Sequence, residues 1–172
     1  MKTVAVVLAL GAALALQTIL AGLFLGGRLV INLVLVAVVY VALAFGPVTG
    51  LLAGMAGGLA QDALAGGIIG IGGIAKTLIG FVVGVLSAQF IVSQPLPRFV
   101  MFVAATFVHE VIFQGLHALL ESRPMGLHYS AVLTQALING VVGLIAFWLV
   151  ERGPKILASR RDRQAAFSRR RF

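Results

Sequence analysis

The chain has 172 residues, 60% of them hydrophobic and only 10% charged, with a net charge of +8 and no cysteine. A soluble domain carries about 25% charged residues, so this composition excludes a water-soluble globular protein and points to an integral membrane protein. The absence of cysteine excludes disulfides, thiolate metal sites and cysteine nucleophiles.

A helix needs about 20 apolar residues to cross the hydrocarbon core, and segments near that length succeed one another along the chain. The first runs over residues 4–25 and is too long for the apolar stretch of a cleaved signal; it reads as a retained helix. Gly26, Gly27 and Arg28 break it, and a second segment follows over 29–45. Gly46-Pro47 is a turn signal. The third segment covers 48–66 and the fourth 71–92. Ser93 to Arg98, with Pro95 and Pro97, reads as a loop because proline removes a donor and restricts its predecessor. The fifth segment covers 99–120, a polar connection runs from Glu121 to Tyr129, and the sixth covers 130–150. The expected fold is an all-α bundle of six transmembrane helices over residues 1–150, with a basic tail over 151–172.

Eight of the thirteen basic residues lie from Arg152 onward, including Arg160, Arg161, Arg163, Arg169, Arg170 and Arg171. No basic patch is interleaved with aromatics and no nucleic-acid motif occurs, so no nucleic-acid partner is expected. A juxtamembrane cluster of this kind suits anionic lipid headgroups or a partner. Basic residues gather on the cytoplasmic side of a membrane protein. With six helices, both termini then lie in the cytoplasm, as do Lys2 and Arg98, while Arg28 and Arg123 lie outside. Trp148 and Tyr129 fall near opposite ends of the last segment, as an aromatic belt requires.

The third and fourth segments carry the most informative pattern. Gly50, Gly54, Gly58, Asp62, Gly66 and Gly70 recur every four residues, and Lys76, Gly80 and Gly84 resume the spacing. Positions four apart share a helix face, so the glycines form a surface that another backbone can approach closely. Ala5, Ala9 and Ala13 make a smaller face of the same type. An Asp within the ladder and a Lys in the next apolar stretch are costly in a membrane and mark a possible functional site. In the fifth segment Glu110, Gln114, His117 and Glu121 line one stripe. Gln135 and Asn139 share a face of the sixth, as an interhelical hydrogen-bond pair would. Asp62, Lys76, Glu110, Gln114 and His117 are expected to form one polar cluster in the outer half of the bilayer, with Asp62 and Lys76 as its ion pair. The cluster suits either a network that fixes helix register or a functional site.

Catalytic motifs are missing. His109-Glu110 opens a zinc-protease pattern, but Phe113 stands where its second histidine belongs. Glu110 and His117 lack the Glu-x-x-His spacing of bundle di-metal sites. There is no Gly-x-Ser-x-Gly elbow and no phosphate-binding loop. Neither an enzyme nor a bound cofactor or metal is expected.

The stretch from Gly50 through Asp62 to Gly66, followed by Gly70 and by Lys76-Thr77-Leu78-Ile79-Gly80-Phe81, resembles the rod shape-determining protein MreD family. Chain length and the polar fifth helix are similar as well. The resemblance implies a non-enzymatic scaffold subunit of the bacterial cell-elongation complex, in the cytoplasmic membrane. It implies an MreC-like bitopic partner, and through it the peptidoglycan glycosyltransferase and transpeptidase. It also implies a fold similar to the substrate-binding subunits of energy-coupling-factor vitamin transporters. A transporter subunit with an outward ligand site therefore stands as the alternative.

Overall fold

The computed structural model describes the backbone of residues 2–23, 31–90, 94–121 and 129–169, and the side chains of residues 3–22, 31–90, 94–121 and 129–151. The described chain is all-helical: α1 Lys2–Leu23, α2 Leu33–Phe45, α3 Pro47–Ala65, α4 Ile71–Gln89, α5 Pro95–Glu121 and α6 Tyr129–Arg169. Four helices are long and apolar enough to cross a membrane, at Thr3–Gly22, Ile71–Gln89, Pro95–Glu121 and Tyr129–Glu151. The 13-residue α2 is shorter, about 20 Å at the helical rise. The break expected at 26–28 and all but the two ends of the connection expected from Glu121 to Tyr129, Arg28 and Arg123 among them, lie outside the described residues; Glu121 ends α5 and Tyr129 opens α6.

Local chemistry sets the helix ends. The Asn32 side chain accepts the amide of Leu35 at 3.0 Å and caps α2. Gly46, at φ +90°, is the single residue between α2 and α3, and Pro47 then opens α3 at a position that has no amide to satisfy. Gly66 (φ +69°) and Gly70 (φ +110°) bracket the α3–α4 turn in a conformation that side chains rarely adopt. These two glycines therefore leave the predicted contact face: no atom lies near the position of a Cβ at either. The loop expected over residues 93–98 is corrected as well. Its prolines fall in the first turn of α5, where amides have no partner within the helix and proline is tolerated.

The all-apolar α2 is the centre of the bundle, with Val34, Leu35, Val38, Val39 and Val41 fully buried. All five other helices pack against it, and α1–α3, α3–α4, α4–α5 and α5–α6 touch in succession around it. One core cluster joins Leu35, Val39 and Ala42 of α2 to Ile79, Val83, Phe102 and Phe147. A second sets Leu10 of α1 against Val38, Val41 and Ala53. Leu10 is the buried anchor of α1, with Val6 packed beside it; of the Ala5–Ala9–Ala13 face, Ala9 and Ala13 are half-buried and Ala5 is exposed.

The glycine ladder is consumed inside the chain. A Cβ at Gly50 would meet the Gly80 carbonyl, one at Gly54 the Lys76 carbonyl, and one at Gly84 the Cα of Pro47; at Gly58 it would lie 2.6 Å from the Gly72 carbonyl. The α3 and α4 backbones thus approach as closely as only glycine allows.

Candidate functional site

Asp62 lies in the last turn of α3, and α4 begins just beyond the turn. Its Oδ2 accepts the amides of Gly70 at 2.9 Å and Gly73 at 3.2 Å. The N-cap Gly70 has no side chain to close α4, so Asp62 supplies the carboxylate from the neighbouring helix. A helix N-terminus combines free amides with the positive end of the dipole, and both favour an anion there. A Cβ at Gly72 would press on Asp62 Oδ1 and displace the carboxylate from these amides, so glycine suits the position.

Lys76 is 2% exposed and His109 1% exposed. Lys76 Nζ meets His109 Nε2 at 3.3 Å, the link between α4 and α5. With Nε2 accepting from the ammonium, the remaining imidazole proton sits on Nδ1. That nitrogen lies 3.3 Å from Glu110 Oε1, although no well-aligned hydrogen bond forms. Glu110 in turn accepts from Gln135 of α6 at 2.9 Å and from Gln114 at 3.4 Å. The chain Lys76–His109–Glu110–Gln135 therefore joins α4, α5 and α6 through an imidazole placed between a cation and a carboxylate.

A second line starts at Asn139, which donates to Thr106 Oγ1 at 3.3 Å and accepts the Asn32 amide at 3.1 Å. Gln17 Oε1 accepts the Val34 amide at 3.1 Å, tying α1 to the start of α2. Buried polar groups without partners are expensive, and these contacts satisfy most of them.

The expected ion pair of Asp62 with Lys76 does not form. Asp62 is held by backbone amides, and the ammonium bonds to His109 instead. Gln114 joins the network through Glu110. His117 does not; its Nδ1 lies 3.1 Å from the Phe113 carbonyl of its own helix. Glu121, the fourth member of the α5 stripe, is exposed at the end of the helix. The side chains of Arg160, Arg161, Arg163, Arg169, Arg170 and Arg171 lie outside the described residues. His109, Thr106 and Asn32 were not anticipated. For His109 a signal existed: it stands seven residues after Phe102 and three after Thr106, on the helix face that is buried.

Among the described residues no three His, Asp or Glu side chains gather as a metal site. An apolar groove of about 330 Å³ lies between α5 and α6, lined by Phe99, Val103, Phe107 and Leu133 among others, and it holds no reactive group.

The family model of the rod shape-determining protein MreD matches residues 2–152. The chain belongs to the MreD family. It is accordingly a rod-shape protein of the bacterial cytoplasmic membrane, built from apolar helices. Searches of curated proteins and of solved structures return no match. The MreD match takes in the whole buried network, from Gln17 to Asn139, and ends before most of the basic tail.

Proposed function

We propose that this MreD-family chain is a non-enzymatic scaffold subunit of the cell-elongation complex, with both termini in the cytoplasm. It binds the transmembrane helix of an MreC-type bitopic protein and, through that partner, the peptidoglycan glycosyltransferase and transpeptidase. The family match carries the reading. Supporting it, Asp62, Lys76 and Glu110 are each engaged by neighbouring helices or their backbone. Groups held in this way fix helix register and are not poised for chemistry. Because α3 and α4 use the glycine ladder on each other, a partner helix is left the outward faces, such as Leu52, Met55, Leu78 and Phe81, which are exposed.

Co-expression with the MreC-type protein of the same bacterium, followed by affinity capture in mild detergent, tests the proposal. The partner is expected to co-purify in a fixed ratio. Capture of the folded chain without it would overturn the scaffold reading.

A further inference from the structure

The Lys76 ammonium carries three donors and is 2% exposed; among the described residues its hydrogen-bond partner is His109 Nε2, at 3.3 Å. A hydrogen bond between two basic nitrogens holds one proton between them, so Nε2 has to stay free to accept. The ring is then neutral, with its own proton on Nδ1, which faces Glu110 Oε1 at 3.3 Å without good alignment. In this state the ring serves Lys76 well and Glu110 poorly.

Charge around the ring comes from three elements. Lys76 belongs to α4, Glu110 to α5 and Asp62 to α3, and Asp62 lies within electrostatic reach of both Lys76 and His109. From α6 come the uncharged Gln135, bonded to Glu110, and Asn139, bonded to Thr106. The titratable side chain of α2, Tyr40, packs on Phe147 instead, and His117 stands beyond the ring of Phe113. With His109 neutral, two carboxylates face one ammonium, and the cluster is one positive charge short. A proton taken up by the ring supplies that charge.

Uptake rearranges the contacts. An imidazolium donates from both nitrogens and accepts at neither, so Nε2–H and the ammonium would confront each other in a poorly screened interior. Glu110 gains what Lys76 loses, because a bond from the charged ring to a carboxylate is charge-assisted. The lysine stem is flexible, and Asp62 is the other carboxylate in its electrostatic reach. A polar stripe leads from the ring to the end of α5: the Glu110 side chain is 12% exposed, Gln114 and His117 are half-buried, and Glu121 is exposed.

We infer that Lys76, His109 and Glu110 form a proton-operated latch between α4 and α5. With the ring neutral, Lys76 ties α4 to His109. With the ring protonated from water along the α5 stripe, His109 pairs with Glu110 and Lys76 turns to Asp62, beside the α3–α4 turn. The other half of the seam, where Ile79 and Val83 share an apolar cluster with Phe102 and Ala105, stays closed. The latch goes beyond the scaffold reading and does not depend on it.

The test uses the full chain in mild detergent between about pH 8 and pH 5, the range in which histidine changes charge. His117→Gln with His128→Gln leaves His109 as the only histidine, and the nitrogen resonances of the isotope-labelled ring then report its protons. A proton on Nδ1 alone is expected at the alkaline limit and protons on both nitrogens at the acid limit. Because the chain has no cysteine, spin labels on Ile74→Cys of α4 and Leu120→Cys of α5, both exposed, read the helix separation in the latch half. Labels on Val82→Cys and Val100→Cys, also exposed, read the other half. Acid is expected to lengthen the first distance reversibly and to leave the second unchanged. His109→Gln keeps an oxygen that accepts from Lys76 but takes up no proton, and the response of the first pair is expected to be lost in it. A ring that stays in one protonation state over this range overturns the latch. So does a first distance that is constant in the wild-type background, a response that persists in His109→Gln, or an equal change in both halves.

Discussion

His109 lies between Lys76, at 3.3 Å from its Nε2, and Glu110, at 3.3 Å from its Nδ1, so substitutions on either side act on one buried cluster. Lys76→Met removes the cation on one side of the ring and Glu110→Gln removes the carboxylate on the other, and each change leaves buried polar groups less well compensated. Removing both charges together costs less. A double-mutant cycle on thermal stability in detergent is therefore expected to show strong coupling between Lys76 and Glu110. Asp62 also lies within electrostatic reach of Lys76, so coupling between those two is expected as well, although backbone amides hold the carboxylate. Asp62→Asn keeps an oxygen acceptor for α4 but loses the interaction of a full charge with the helix end, about 0.3–2 kcal/mol. Coupling of Lys76 to Glu110 indistinguishable from zero would reverse this assignment.

Among the elements, the α3–α4 hairpin is the most demanding. At Gly54 the space a Cβ would need holds the Lys76 carbonyl, and at Gly58 it holds the Gly72 backbone. Backbone cannot rotate aside as a side chain can, so overpacking here exceeds the usual range of about 1–3 kcal/mol. Gly54→Leu or Gly58→Leu is expected to eliminate the monodisperse peak in fluorescence-detected size exclusion. Gly11→Ala, at a helix position with no neighbour within 4 Å, is expected to leave that peak unchanged. Wild-type elution of both leucine variants would mean that α3 and α4 do not meet as described. Gly66→Ala is expected to destabilise for a different reason: there is space, but at φ +69° the backbone itself is strained for an L residue.

At the scale of the whole molecule, the antiparallel succession of helices places Lys2, Arg98 and the end of α6 at one end of the bundle, and the α3–α4 turn at the other. From the distribution of basic residues, the first end is expected to face the cytoplasm. A fluorescent reporter that matures only in the cytoplasm, fused after Phe172, is expected to shine; a dark but expressed fusion would overturn the topology. Because the chain has no cysteine, Ile69→Cys offers an unambiguous label site, and an impermeant maleimide added to intact spheroplasts is expected to reach it. Deleting residues 153–172 is expected to leave insertion intact, read as the membrane-bound fraction, since Lys2 and Arg98 still bias the orientation.

The membrane class, the six helices and the close-contact character of the glycine spacing were legible in the residues themselves. Hydropathy and small-residue period are properties of short stretches and survive without knowledge of neighbours. The helix ends were less legible: Pro95 and Pro97 read as loop residues because proline disrupts a helix everywhere except in its first turn. Pairing was not legible at all. The four-residue spacing showed that Asp62 and the glycines share a face, but the face that receives them belongs to α4, and Asp62 meets amides there. Which side chain opposes Lys76 depends on the register of two helices whose contacting residues lie 33 positions apart, and the Asn32–Asn139 contact spans 107. Spacing within one helix carries no information about such registers. The tertiary packing alone placed α2 at the centre and put His109 between the two charges.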